Sequence, residues 1–293
     1  MNSPCQPPDP DWRPLVPPPP TATTDCHVHI MGPYKKFFLS ERRGYTPQEC
    51  TIETFQGLMA ILGIGRAVIV QGSAHGNDNR VTLDAVRKLG KNGRGIVLVS
   101  PDISDDELIE FKNNGISGLR LSTISKAGYG TKHLVKMAAR ARDLDWMVLL
   151  HFGNVNEVIN LTATLESLPC DFVIDHQGRP LGGEGTSSKG FQSLLNLLKN
   201  TENCWVKLCS WYRQSQIGLP YDDMRPFIEA LMDARPDRLI WGSNWPHPNF
   251  NGAMPNDADL LQQIIDWAAS PELARKILVD NPAKLYGFPV SQS

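Results

Sequence analysis

The sequence predicts an α/β fold, a (β/α)8 TIM barrel. Short β-rich runs alternate with amphipathic helical stretches from Thr23 to Ala269, eight of each, and almost every β run ends in polar side chains. A doubly wound sheet would also alternate. In a barrel, however, all strand C-termini open onto one face, and chemistry-bearing residues at successive strand ends suit that arrangement.

In chain order the expected strands are Thr23–Val28, Arg66–Gln71, Gly95–Val99, Gly118–Leu121, Trp146–His151, Phe172–Asp175, Cys204–Leu208 and Arg238–Trp241. The expected helices are Thr51–Leu62, Arg80–Lys88, Asp105–Asn113, Lys132–Arg142, Val155–Ser167, Lys189–Asn200, Tyr221–Ala234 and Asp257–Ala269. The polar residues at the strand ends are, in the same order, Asp25, His27 and His29; Gln71, Ser73 and His75; Ser100 and Asp102; Arg120 and Ser122; His151; His176 and Arg179; Lys207 and Arg213; Asn244 and His247.

Residues 1–22 read as a proline-rich arm ahead of a barrel at 23–293. Nine prolines between positions 4 and 20 exclude a helix and favour extended polyproline backbone. Such an arm could lie over the barrel or over a second subunit of a homo-oligomer, or stay a disordered leader.

With 293 residues, 41% hydrophobic and 20% charged, the composition is that of a soluble globular protein. A formal net charge of −2 argues against a nucleic-acid or polybasic membrane surface. No apolar run reaches the roughly 20 residues that span a bilayer, and residues 1–20 lack a secretory pattern. The six cysteines form no CxxC pair and read as free thiols in a reducing cytoplasm. Cys26 reads as a small buried hydrophobe on the face of its strand opposite Asp25 and His27.

Three constellations carry chemistry. His27 and His29, two residues apart in a strand, share a face and can present two ring nitrogens to one target; His151 and His176 end later strands. The set His27, His29, His151 and His176 would be the ligands of a divalent metal such as zinc. Asp25 would orient them from the same face, or be buried polarity at the barrel floor. The second constellation is cationic: Arg120, Lys126, Arg179 and Arg213 follow strand ends and suit a substrate with one or two carboxylates. The third is the glycine-rich stretch from Val70 to Asn79, which offers Ser73, His75 and backbone N–H groups to an ester carbonyl or carboxylate. No Walker, Rossmann or nucleophile-elbow pattern accompanies them.

These motifs, Asp25-Cys-His-Val-His29, Val70-Gln-Gly-Ser-Ala-His-Gly-Asn-Asp-Asn79, Ile174-Asp-His-Gln-Gly-Arg-Pro180, Trp241-Gly-Ser-Asn-Trp-Pro-His-Pro248 and Asn281-Pro-Ala-Lys-Leu-Tyr286, resemble the amidohydrolase superfamily. The resemblance is to the branch that contains 2-pyrone-4,6-dicarboxylate lactonase, and it runs from about Thr23 to Tyr286. It implies a distorted barrel, hydrolysis of a small carboxylated lactone, and a metal that is dispensable, so that no cofactor is expected. It also implies that His27, His29 and His176 polarise the lactone carbonyl. Tyr45, Ser73, His75, Arg120, Lys126, Arg179 and Arg213 would hold the carboxylates and ring. Lys126 stands where the branch carries arginine, and His151 where it carries tyrosine.

Asn244 replaces the aspartate that deprotonates water in the lactonase. A neutral amide has no lone pair basic enough for that task near pH 7. Galactarolactone isomerase, a related type, also carries Asn here and moves a lactone linkage between hydroxyls of one molecule. Three readings follow: a lactone hydrolase, which a single Asp-to-Asn change would leave looking like this chain; a lactone isomerase; or a barrel that binds an organic anion without turnover.

Overall fold

The computed structural model describes residues 4–125 and 128–289. Eight parallel strands run in the order β1 to β8: Thr24–Val28, Arg66–Val70, Gly93–Val97, Ile116–Ser122, Met147–His151, Phe172–Ile174, Cys204–Cys209 and Leu239–Gly242. Between and after them lie α1 to α8: Ile52–Leu62, Arg80–Leu89, Asp105–Asn113, Leu134–Asp143, Glu157–Glu166, Lys189–Asn200, Arg225–Ala234 and Asp257–Trp267. The strands are buried almost throughout, because a parallel sheet is covered on both faces. Three of the helices begin where a side chain satisfies free N–H groups: Thr51 caps α1, Ser104 and Glu107 form a capping box on α3, and Asn256 caps α8.

Two packed layers result. One fills the space between strands and helices, with Phe55, Phe152, Phe191, Phe227 and Trp241 among its fully buried members. The other is the barrel interior, made by Val68, Val70, Ile96, Leu149, Val173, Trp205 and Ile240 from alternate strand positions. Tyr286, at the end of the segment Asn281–Tyr286, and Phe288 just beyond it join that interior cluster. Three segments at Pro271–Arg275, Lys276–Asp280 and Asn281–Tyr286 lie beyond the expected elements. Asn281 ties them to the strands by donating from Nδ2 to Leu239 O at 2.7 Å.

The barrel closes past the end of β8. Asn244 N–H donates to His27 O at 2.9 Å and His29 N–H to Trp245 O at 2.8 Å. Gly242 permits this approach: a Cβ there would lie 2.6 Å from His27 Cβ and 2.7 Å from its N. The pairing of β1 with β2 shifts between Asp25 and Val28, so strict alternation fails where the motif sits. Cys26, expected on the face opposite His27, instead packs in the barrel interior beneath it. All six cysteines are free and buried.

Extended chain from Pro4 to Pro20 packs on the barrel. Cys5 N–H donates to Thr46 O at 2.8 Å, Asn256 Nδ2 donates to Asp9 Oδ2 at 3.1 Å, Arg13 pairs with Asp259, and Leu15 is buried. No helix among the described residues is long and apolar enough to cross a membrane.

Candidate active site

A cavity of about 430 Å³ opens at the C-terminal ends of the strands, within the range of small-ligand sites. Of the residues expected at the site, His29, Tyr45, Ser73, Arg120, His151, His176, Arg179, Arg213 and Asn244 line it. His27 and His75 do not. His27 is fully buried behind the wall, with its ring centroid 4.9 Å from that of His176 and 4.8 Å from that of His29. His75 turns its Nδ1 to Phe38 O at 3.0 Å. Lys126 lies outside the described residues. No carboxylate is among the described residues that line the cavity.

The loop after β6 shows how the sequence aims two of these groups. His176, Gln177, Gly178 and Arg179 all have positive φ, from +43° to +74°, a left-handed run that non-glycine residues rarely adopt. Gln177 holds the loop in that state: its Oε1 accepts from Cys209 N–H at 3.0 Å and its Nε2 donates to Gln214 Oε1 at 3.1 Å. The result turns His176 and Arg179 into the same cavity. Asn244 has φ +69°, another strained position at the barrel mouth.

Beneath the wall lies a group that the sequence reading left outside the site: Asp175 and Lys207, both fully buried. Asp175 Oδ1 is 3.1 Å from His27 Nδ1 and 3.5 Å from Lys207 Nζ, and Lys207 Nζ is 3.2 Å from His27 Nδ1. Burial pushes His27, His151 and His176 well below the usual histidine value, and His29 down to about 3. Burial would raise Asp175, but the histidines and Lys207 around it outweigh that and hold it well below the usual carboxylate range.

Neutral histidines fix the direction of this network. His29 Nδ1 lies 2.8 Å from Val70 O and must carry the proton, so its Nε2 is bare. His27 Nε2 faces that bare nitrogen at 3.1 Å, and His27 Nδ1 is shared between Asp175 Oδ1 at 3.1 Å and Lys207 Nζ at 3.2 Å. Both ring nitrogens of His29 are thus engaged within the protein. His176 is different: its ring makes no hydrogen bond among the described residues, and its Nε2 lies 3.4 Å from Asp175 Oδ2.

The donors that converge as a metal would require are His27, Asp175 and His176, whose ligating atoms lie within 4.8 Å of one another. This differs from the expected four-histidine set. His29 is tied to Val70 and His27, and His151 Nδ1 faces Arg120 Nη2 at 2.9 Å and Ser122 Oγ at 3.2 Å. The Lys207 ammonium stands against His27 Nδ1 and Asp175 Oδ1, and a positive charge held beside these donors opposes a divalent ion there.

The cavity's cations are placed mainly by neutral partners, with Asp175 beneath Arg120 the charged one. Arg213 donates from Nη2 to Pro248 O at 2.7 Å and stacks over the rings of Tyr212 and Phe250. Arg120 donates to Gln71 O at 3.4 Å and lies 3.9 Å from Asp175. Burial, then the charge of Arg213, lowers the pKa of Arg179. Three guanidiniums around a mouth without acids form a field for an anion.

Of the two readings expected for Asp25, the structure shows buried structural polarity and not an orienter of the histidine rings. Its Oδ1 accepts from His27 N–H and Ser243 N–H, each at 3.0 Å, and its Oδ2 accepts from Ser243 Oγ. It is part of the seam between β1 and β8. Behind Asn244 stand His247, which the strand-end pattern marked, and Tyr212 and Asp257, which no local pattern marked, all buried.

The sequence model of the amidohydrolase family matches residues 24–288. Among curated proteins, the chain is similar to the 4-sulfomuconolactone hydrolase of Hydrogenophaga intermedia, 38% identical over 273 residues, 92% of this chain and 89% of that protein. It is 34% identical over 277 residues to the 2-pyrone-4,6-dicarboxylate hydrolase of Comamonas testosteroni, covering 91% of this chain and 90% of that one. It is 29% identical over 236 residues to the D-galactarolactone isomerase of Agrobacterium fabrum, 80% of each chain. With the fold, the motifs and the matched span in agreement, the chain belongs to the amidohydrolase family.

Proposed function

We propose that this protein hydrolyses a small lactone that carries anionic groups, carboxylate or sulfonate. The observation that carries the reading is the cavity itself: Arg120, Arg179 and Arg213 face it, with no carboxylate among the described residues of its wall. Arginine forks bind planar oxyanions bidentately, so two anionic substituents would fix the ring's orientation. The names of the hydrolase relatives point to the same substrate class.

In this reading the lactone lies between the arginines with its ester carbonyl toward the deep histidine wall. Tyr45 and Ser73, whose Ser73 Oγ to Tyr45 Oη separation is 3.4 Å, line the opposite side and hold the ring. His176 and Arg120 are placed to meet the carbonyl oxygen as charge develops on it. His27 and His29, joined to each other and to Lys207, hold that wall in one tautomeric state. The oxygen of a water molecule bonds to the carbonyl carbon beside Asn244, the ring C–O bond breaks, and the proton that the water gives up ends on the leaving ring oxygen. The chemistry needs no metal, and the Lys207–Asp175–His27 arrangement supplies the fixed charge beneath the carbonyl.

Asn244 favours a second reading, lactone isomerisation. An amide can orient an attacking hydroxyl by accepting its hydrogen bond but cannot remove its proton, and an internal hydroxyl enjoys a large effective concentration over water. Turnover of a dicarboxylated lactone in ¹⁸O-water decides between them. Hydrolysis places one ¹⁸O in the product carboxylate, whereas isomerisation places none. No turnover of any anionic lactone, with binding retained, would leave an organic-anion binder.

A further inference from the structure

We infer that Tyr212 and His247 form a buried, directional hydrogen-bond chain, backed by the Asp257 carboxylate in ion-pair range of His247, that locks the Asn244 amide with its NH2 inward and its oxygen toward the cavity. This makes them positioning residues for the attacking hydroxyl. The inference rests on the lactone reading for its kinetic part only. Asn244 Nδ2 lies 2.9 Å from Tyr212 Oη, Tyr212 Oη lies 2.8 Å from His247 Nδ1, and His247 Nε2 lies 3.2 Å from Asp257 Oδ1. Tyr212, His247 and Asp257 are 4%, 0% and 1% exposed, so water does not compete for these groups. Tyr212 does not line the cavity, whereas Asn244 does.

The direction follows from the far end. Asp257 Oδ1 faces His247 Nε2 at 3.2 Å, and a carboxylate oxygen so close to a ring nitrogen favours a proton on that nitrogen over two lone pairs in opposition. His247 must then carry its proton on Nε2. If Nδ1 is bare, it takes the Tyr212 O–H, and the tyrosine oxygen is left to accept from Asn244. If His247 is doubly protonated, the tyrosine oxygen is charged and accepts from both sides. In each state the Asn244 NH2 is drawn to Tyr212 and its Oδ1 is free to accept from a hydroxyl in the cavity. Burial opposes a charge on His247, yet Tyr212 and Asp257 beside it hold its pKa up to about 9. The Tyr212 phenol is lowered despite burial, through Arg213 and His247. The backbone supports the same geometry: Asn244 and His247 both have positive φ, and His247 N–H donates to Asn244 O at 2.7 Å.

The test uses Tyr212→Phe, Asp257→Asn and the double variant. In protein labelled with ¹⁵N-asparagine, the Asn244 NH2 signals are assigned by their loss in Asn244→Asp. Each single variant should shift those signals and speed their exchange with solvent. On an anionic lactone, each should lower kcat about 10–100-fold with KM changed less than about threefold, as for one positioned hydrogen bond lost. The double variant should be no worse than either single one, because one chain is broken in all three. Unchanged Asn244 signals in Tyr212→Phe, losses that multiply in the double variant, or a loss confined to KM would overturn the inference. Should the unaltered protein turn over no lactone while the signals respond as expected, the lactone reading fails and the locked amide stands.

Discussion

Asp25 and Ser243 clamp the first strand to the last. Ser243 donates to the Asp25 carboxylate from both its backbone N–H, at 3.0 Å, and its hydroxyl, at 2.5 Å, and the same hydroxyl accepts from Trp245 N–H at 2.9 Å. The clamp lies two residues from His27 on one side and next to Asn244 on the other, so it sets the spacing of the barrel mouth. Burial pushes Asp25 up to about 7 in spite of these bonds, which shows how little else compensates its charge. Ser243→Ala should cost about 1.5–3 kcal/mol of stability, the loss expected when a buried, charged acceptor is stripped of a partner. Urea unfolding checks this, and a midpoint equal to that of the unaltered protein would show that the seam is held by β1–β8 backbone pairing alone.

Arg179→Ala or Arg213→Ala should weaken transition-state binding of a dicarboxylated lactone by about 2–4 kcal/mol, chiefly through KM, with a far smaller effect on its neutral diester. The contrast between the two substrates is the readout. Equal losses on both would mean that the guanidiniums are structural, as the Arg213 bond to Pro248 O would allow.

Stability should fall as pH drops below 6.5. Unfolded histidines take up protons below about 6.5. Folded His29 does so only near 3, and His27, His151 and His176 are depressed in the same direction by burial. The unfolded state therefore binds more protons in acid, and stability drops as pH falls from 6.5, by up to about 1.4 kcal/mol per pH unit for each such histidine. Asp25 has the opposite sign: held up to about 7 in the native state, it keeps a proton that the unfolded chain releases at about 4, which offsets one histidine over that range. His247 adds no alkaline limb, because the proton it gains is the one Tyr212 gives up. Urea midpoints from pH 4 to 9 test the profile; a curve level between pH 4 and 6.5 would show the histidine cluster to be protonated in the folded protein.

Much of this was legible in the chain. The strands sit within about two residues of their expected ends, because β-branched runs bounded by polar residues have few other uses in an α/β chain. Helix starts shifted where the backbone turned first: α7 begins at Arg225 rather than Tyr221, which has φ +66°. The histidines and arginines could be found because strand ends converge. Their division of labour could not: a bulge in β1 decides that His27 lies behind His29, and bulges leave no pattern in one sequence. Lys207 reads locally like any strand lysine, and Asp175 like the last residue of a strand. Tyr212, His247 and Asp257 meet only through the fold.

Lactone turnover should survive exhaustive chelation, and metal analysis of active protein should find far less than one zinc per chain. The reason is Lys207, whose ammonium lies 3.2 Å from His27 Nδ1 and 3.5 Å from Asp175 Oδ1, between the donors a metal would need. Lys207→Met removes that competitor and should create measurable zinc affinity at His27, Asp175 and His176. Stoichiometric zinc in the unaltered protein, with activity lost on its removal, would reverse the assignment of these residues.

Asn244→Asp brings the two chemical readings to a decision at one atom. A carboxylate at this position can take the proton of an attacking water, and general-base catalysis contributes about 10²–10⁴-fold. If the reaction is hydrolysis limited by the amide, the variant should gain on that order, with ¹⁸O from solvent in the new carboxylate. The hydrogen-bond chain behind position 244 modulates the gain. An aspartate there only accepts, so Tyr212 must turn its O–H toward it, and His247 must then donate from Nδ1 to the tyrosine while keeping Nε2–H on Asp257. That bond from Tyr212 lowers the basicity of the new carboxylate. Removing it with Tyr212→Phe in the Asn244→Asp background should therefore raise the apparent pKa of the hydrolytic limb, the reverse of the harm expected from Tyr212→Phe in the native chain. If the native chain isomerises, Asn244→Asp should divert the same lactone to hydrolysis, because water gains a base that the internal hydroxyl does not need. A variant that neither gains hydrolysis nor loses isomerisation would place the proton-accepting group elsewhere in the cavity, with His176 the nearest candidate that has no hydrogen bond of its own.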